Sequence, residues 1–294
     1  MDDTRWVDEH GQEIDEDHRG LVYDVQTLID RRRVLGLFGG VALTSLLAAC
    51  GTEATATPTS TSTATATATA TPAATATPTP TATADVPVTE IPDETAGPYP
   101  ADGSNGVDVL DDSGIVRSDI RSSFGSSTTV AEGIPLSVAL TIRDAATGAA
   151  LAGRGVYLWH CNRDGNYSLY SQGLENENYL RGVQETDANG VVRFTTIYPA
   201  CYSGRWPHIH FEVYENLAGA IADGPIVKTS QLALPAETNN AVYATAGYEQ
   251  SVRNLSEISL QSDNVFGDDG GIFQIATMSG SVSEGYTAAL TVGV

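Results

Sequence analysis

Leu136-Ser137-Val138-Ala139-Leu140-Thr141-Ile142 puts a large aliphatic side chain at every second position, so an extended strand carrying it presents one apolar face. Working outward, Gly155–Trp159, Val191–Thr196, His208–Tyr214 and Tyr286–Val292 are further short apolar stretches separated by Gly, Asp and Asn clusters. Strands at this spacing predict an all-β sandwich. No long segment has helical periodicity, and one short helix is expected around Ala241–Arg253. No internal repeat is visible.

Toward the N-terminus the texture changes. From Gly51 to Ala84 the chain is almost entirely Thr, Ala and Pro, with no large apolar side chain to offset the entropy of ordering, and it reads as a disordered tether. In extended geometry, at about 3.1 Å per residue, it would reach up to roughly 100 Å. Ahead of it, Arg31-Arg32-Arg33-Val34-Leu35 precedes an apolar run, Val34–Ala49, and then Leu47-Ala48-Ala49-Cys50. The arrangement is similar to a twin-arginine signal ending in a lipoprotein box, with Cys50 as the lipidated residue. An uncleaved anchor helix is the alternative, and both place the rest of the chain outside the cytoplasm. The expected division is residues 1–49 as acidic extension plus signal, 50–86 as lipidated cysteine plus tether, and 87–294 as the folded domain at the outer face of the cell membrane, with membrane contact through the lipid anchor alone.

Acidic residues outnumber basic ones 37 to 15, for a net charge of -22. Setting aside residues 1–49, with ten acids and five bases, leaves 27 against 10, so the folded part is itself acidic. That excludes a nucleic-acid-binding surface, which needs clustered Lys and Arg.

The chemistry-bearing residues lie in three segments. His208-Ile209-His210 opens a strand in which residues two apart share a face, so both imidazoles can reach one metal. Upstream stand Tyr198-Pro199-Ala200-Cys201-Tyr202-Ser203-Gly204-Arg205-Trp206-Pro207 and Trp159-His160-Cys161-Asn162-Arg163-Asp164-Gly165-Asn166-Tyr167. Tyrosine, Arg and H-x-H in this order resemble the intradiol ring-cleavage dioxygenases. Glu94–Tyr99, Val116–Ile120, Tyr179–Gln184 and Lys228–Leu232 extend the resemblance over about Pro87–Val294.

The resemblance implies a transthyretin-like or immunoglobulin-like β-sandwich. It implies non-haem Fe(III) held by Tyr167, Tyr202, His208 and His210, and cleavage of a catechol-type ring between its two hydroxylated carbons with O2. Tyr202 would yield its place to the diol and take up a proton. Arg205 and Gln231 would steady negative charge, and Tyr99 and Trp206 would touch substrate. The donor set makes chemical sense of this. With an ordinary phenol pKa of ~10, only a strongly acidic cation such as Fe(III) keeps tyrosine deprotonated at neutral pH. Two phenolates and two neutral imidazoles leave a charge of about +1 for an anionic diol. His160 reads as a strand-end residue bonded to backbone.

Two segments depart from the family pattern. Ala200-Cys201 stands where many relatives have Gly-Trp, and Ala96 where many have Glu. The helical dimerisation region of catechol dioxygenases is missing, which leaves the oligomer open, a homodimer included. Once Cys50 is assigned to lipid, Cys161 and Cys201 are an even pair in a disulfide-permissive compartment, on segments that must converge if both tyrosines bind one iron. A disulfide between them is expected, two buried thiols being the alternative. Two rival functions are a non-catalytic extracellular module binding carbohydrate or cell wall and a structural zinc site. Tyrosine is a rare zinc ligand, which disfavours the second.

Overall fold

A computed structural model describes residues 87–294; the expectations for the signal, Cys50 and the tether lie outside the described residues. Eight strands form two four-stranded sheets. The alternating segment is β1 (Pro135–Arg143), and its Pro135 sits at the first position, where no ladder hydrogen bond is lost. It pairs antiparallel with β4 (Val191–Ile197) and parallel with β8 (Gly285–Gly293), while β7 (Thr277–Ser281) adds to the far side of β8. The second sheet runs β3 (Arg181–Glu185), β2 (Gly155–Trp159), β5 (His208–Tyr214), β6 (Ile226–Ala233), all antiparallel.

The alternation sends Leu136, Val138, Leu140 and Ile142 inward to meet Val156 and Leu158 of β2 and Ile209, Phe211 and Val213 of β5 in one buried cluster. Truncating a side chain such as Phe211 to alanine there would cost about 3–5 kcal/mol. Because odd-numbered residues of β5 fill the sandwich, the even-numbered ones, His208, His210, Glu212 and Tyr214, face the opposite way. That outer face is also covered: every residue of β5 is buried, and a second cluster of Ala96, Tyr99, Ala101, Tyr157, Trp159, Tyr167 and Tyr214 lies over this sheet. A strand lined on both sides in this way supplies rigid positions for a site.

Short helices complete the chain: α1 (Leu217–Ala220), α2 (Ala236–Tyr243) and α3 (Glu249–Leu255). The single helix expected over Ala241–Arg253 is therefore two. Gly247, between them, has φ +92°, a left-handed conformation that no right-handed helix continues through.

Candidate active site

Sheet register builds the floor. Trp159 of β2, His210 of β5 and Gln231 of β6 are direct neighbours across three strands. The Trp159 ring stacks on His210 with centroids 4.9 Å apart. His208 lies two residues along on the same face, and its Nε2 is 3.1 Å from His210 Nε2. Two turns bring the phenols in. Tyr202 Oη is 3.1 Å from His208 Nε2, and the Tyr167 ring meets those of Tyr202 and His210 edge-on at 6.0 and 6.3 Å. The four residues expected to form one ligand set thus converge.

His208 Nδ1 is 2.5 Å from the Trp206 carbonyl, a contact that requires the proton on Nδ1 and leaves Nε2 as a lone pair facing the other donors. Burial first, and the nearby Arg205 charge, hold both histidines well below the usual imidazole range, so they are neutral and available as ligands. Burial pushes the Tyr167 phenol well above its ordinary value, and the Tyr202 phenol adds to that. Tyr167 is 1% exposed, and its Oη has no hydrogen-bond partner. A buried phenol oxygen in such a position beside two imidazoles fits a cation-binding role, since a bound metal would compensate its desolvation and reverse the pKa trend.

Among the described residues no three His, Cys, Asp or Glu side chains gather as a metal site. The donors here are of another kind, two imidazoles and two phenols, and that chemistry fits a hard trivalent cation rather than zinc.

The walls come from distant segments. Arg205 is buried and donates from Nη2 to Gln231 Oε1 at 2.7 Å, while Gln231 Nε2 donates to the Thr95 carbonyl at 2.9 Å. The roof is the irregular segment leading to Tyr99. At Gly97 a Cβ would stand 3.3 Å from His210 Cε1, and φ is +72°, so a side chain there would be both crowded and strained. Tyr99 packs on Tyr167 at 4.9 Å between centroids. Trp206 donates from Nε1 to the Leu234 carbonyl, and its ring joins Ala233, Val265 and Phe266. His160 is satisfied by the Cys161 carbonyl and Thr196 Oγ1, as a structural histidine would be.

Two residues were not singled out as functional from the sequence. Asp263 accepts from Arg205 Nε at 3.1 Å. Arg181, fully buried, donates to Ser168 Oγ, the Ser168 carbonyl, the Pro100 carbonyl and Tyr157 Oη, tying the Tyr167 turn to the roof. Neither belongs to a recognisable motif of metal or acid–base chemistry.

The expected disulfide is not present. Cys161 and Cys201 are separate buried free thiols in different clusters. Cys201 Sγ points to the Arg205 carbonyl at 3.5 Å and Cys161 Sγ to that of Ala200 at 3.8 Å. The segments converge as the tyrosines require, and each thiol points to a carbonyl of the Ala200–Arg205 segment rather than to the other thiol.

Residues 123–218 match the family model described as Dioxygenase. An intradiol ring-cleavage dioxygenase from Tetranychus urticae is 26% identical, with 62% of this chain covering 87% of that one at a TM-score of 0.51. The crystal structure of a further dioxygenase is 24% identical, with 70% of this chain covering 94% of that one at a TM-score of 0.56. Among curated proteins none matches. The resemblance read from the residues is found again at both levels: the segment 123–218 matches the dioxygenase family model, and the domain has the β-sandwich fold seen in an intradiol ring-cleavage dioxygenase.

Proposed function

We propose that this chain is a non-haem Fe(III) dioxygenase that opens a catechol-type aromatic ring between its two hydroxylated carbons with O2. The observation that carries the reading is the convergence of Tyr167, Tyr202, His208 and His210 around a buried, unpartnered phenol oxygen. Tyr167 Oη, Tyr202 Oη and the Nε2 atoms of both histidines would hold the iron. Bound Fe(III) would supply the Lewis acidity that keeps the phenols ionised and draws electron density from an ortho-diol.

The protein's own contribution is orientation and charge. Tyr202 is the one half-buried member of the four, so its Oη is the donor placed to give way to an incoming diol and take one of its protons. Arg205, held by Gln231, the in-register neighbour of His210, offers a cation near the two histidines that would steady negative charge on a bound diol. Gly97 and Tyr99 roof the site and exclude water. The three-arginine apolar leader and Cys50 support an exported, lipid-anchored placement.

The test is O2 uptake by the iron-loaded chain with catechol, protocatechuate, hydroxyquinol and chlorinated catechols, with the product identified by mass. Ring-opened dicarboxylate carrying both atoms of O2 supports the reading. A colourless iron-loaded protein, lacking tyrosinate-to-Fe(III) charge transfer, refutes it.

A further inference from the structure

We propose that Asp263 is a positioning residue that fixes the guanidinium of Arg205 over the site, and so a second determinant of turnover lying outside the segment 123–218 that matches the family. The inference rests on the proposed role of Arg205 in steadying charge on a bound diol.

Arg205 sits on a turn. Its neighbours Ser203 and Gly204 are exposed, yet its own side chain is buried to 6% exposure. A long cationic side chain on a turn has rotamer freedom to lose and a desolvation cost to meet, and a defined guanidinium plane needs acceptors on more than one edge. The structure provides two. Gln231 Oε1 takes Nη2 at 2.7 Å, and Asp263 Oδ2 takes Nε at 3.1 Å. The same Oδ2 accepts the Trp206 backbone N–H at 2.6 Å, which pins the backbone one residue beyond Arg205.

Asp263 is itself immobilised. Its Oδ1 accepts the N–H groups of Val265 and Phe266 at 2.8 and 3.1 Å, and it is 3% exposed. Val265 and Phe266 pack with Trp206 and Ala233, and the Phe266 ring meets His208 edge-on at 6.4 Å. The carboxylate is therefore anchored in the C-terminal loop and aimed at the arginine, and Gln231 carries the chain of bonds on to the Thr95 carbonyl in the roof. Neutralising Asp263 removes a charge-assisted bond and the counter-ion's charge together, while the bond to Gln231 Oε1 remains.

Asp263→Asn in the full-length chain tests this in two ways. Without iron, Arg205 should react with phenylglyoxal about tenfold faster than in the parent, while the exposed Arg193 reacts at an unchanged rate, both read by peptide mass spectrometry. With iron, kcat should fall roughly tenfold with the visible band retained, and the same substitution should cost nothing further in an Arg205→Ala background. Unchanged Arg205 reactivity overturns the proposal, as does an equal loss of kcat in both backgrounds, which is the mark of a merely structural role. If the parent turns over no catechol, the proposed function fails, and the phenylglyoxal rates alone decide the positioning. Should the variant not fold, hydrogen exchange in the parent decides: a protected Trp206 amide supports the geometry, and one exchanging like an open loop overturns it.

Discussion

Trp159 and His210 lie flat on one another, their planes 7° apart, because β2 and β5 pair in register at these two residues. The indole leaves this imidazole little freedom to rotate. Trp159→Leu should therefore loosen the ring and weaken iron retention by about 10- to 100-fold, the usual cost of losing the support of a ligating histidine. Iron content after dialysis against a chelator measures it. Parent-like retention would mean that ligation alone orients His210.

Tyr167→Phe and His208→Ala each delete one donor from the proposed set of four, and each should lower iron content or abolish the visible charge-transfer band. Absorption spectra and metal analysis of the two variants give the answer. Normal iron and colour in both would show that the donors are wrongly assigned.

Arg205→Ala should keep iron and colour yet lose turnover by about 10²- to 10³-fold, because its charge acts on substrate rather than on the metal. Steady-state kinetics beside a visible spectrum separate the two effects. Undiminished turnover would remove Arg205 from the mechanism.

The sandwich and the shared face of the two histidines were legible because they depend on local spacing, whereas Tyr167 and Tyr202 were singled out only by resemblance. Alternation marked β1, and the H-x-H pair at the head of β5 declared a shared face. The strand β6 was not read as one because Lys228, Ser230 and Gln231 are polar yet buried, each satisfied by a partner far away in sequence. Lys228 Nζ bonds to Glu90 and Asp93, Ser230 Oγ to Gln274, and Gln231 to Arg205 and Thr95. Composition cannot announce such pairings. Asp263 was hidden for the same reason: locally it is an ordinary turn aspartate, and only the fold shows what its second oxygen reaches.

Burial pushes the Glu94 carboxyl up to about 7, despite a hydrogen bond from Gln274 Nε2 at 3.2 Å. The folded chain then binds this proton more tightly than the unfolded chain, whose carboxyl has an ordinary value of about 4.3. The stability it contributes is full below that unfolded value and lost as pH rises through about 7. Glu94→Gln, which keeps the shape and cannot ionise, should therefore gain in urea midpoint over the parent on going from pH 5 to pH 8. An equal difference at both pH values would reject the shift.

Cys161 and Cys201 should titrate as two free thiols in the denatured, unreduced domain 87–294, which lacks Cys50, with no increase on reduction. In the native state Cys201 should resist alkylation, since burial raises its thiol to about 12 and excludes reagent. Two thiols that appear only after reduction would restore the disulfide.

The ends of the described domain meet. Glu90 bridges Gly293, Ile91 N–H donates to the Gly293 carbonyl, and Ala145 bonds in turn to Val88 and Val294. Topologically the domain is close to a closed ring, with the cut at Pro87 and Val294 only one place where it can be opened. A circular permutant joining these ends by a short linker and reopened at the exposed Ala222-Asp223 turn, which lies beyond the Tyr214 end of β5 and away from its His208 end, should keep both sheets and the site intact.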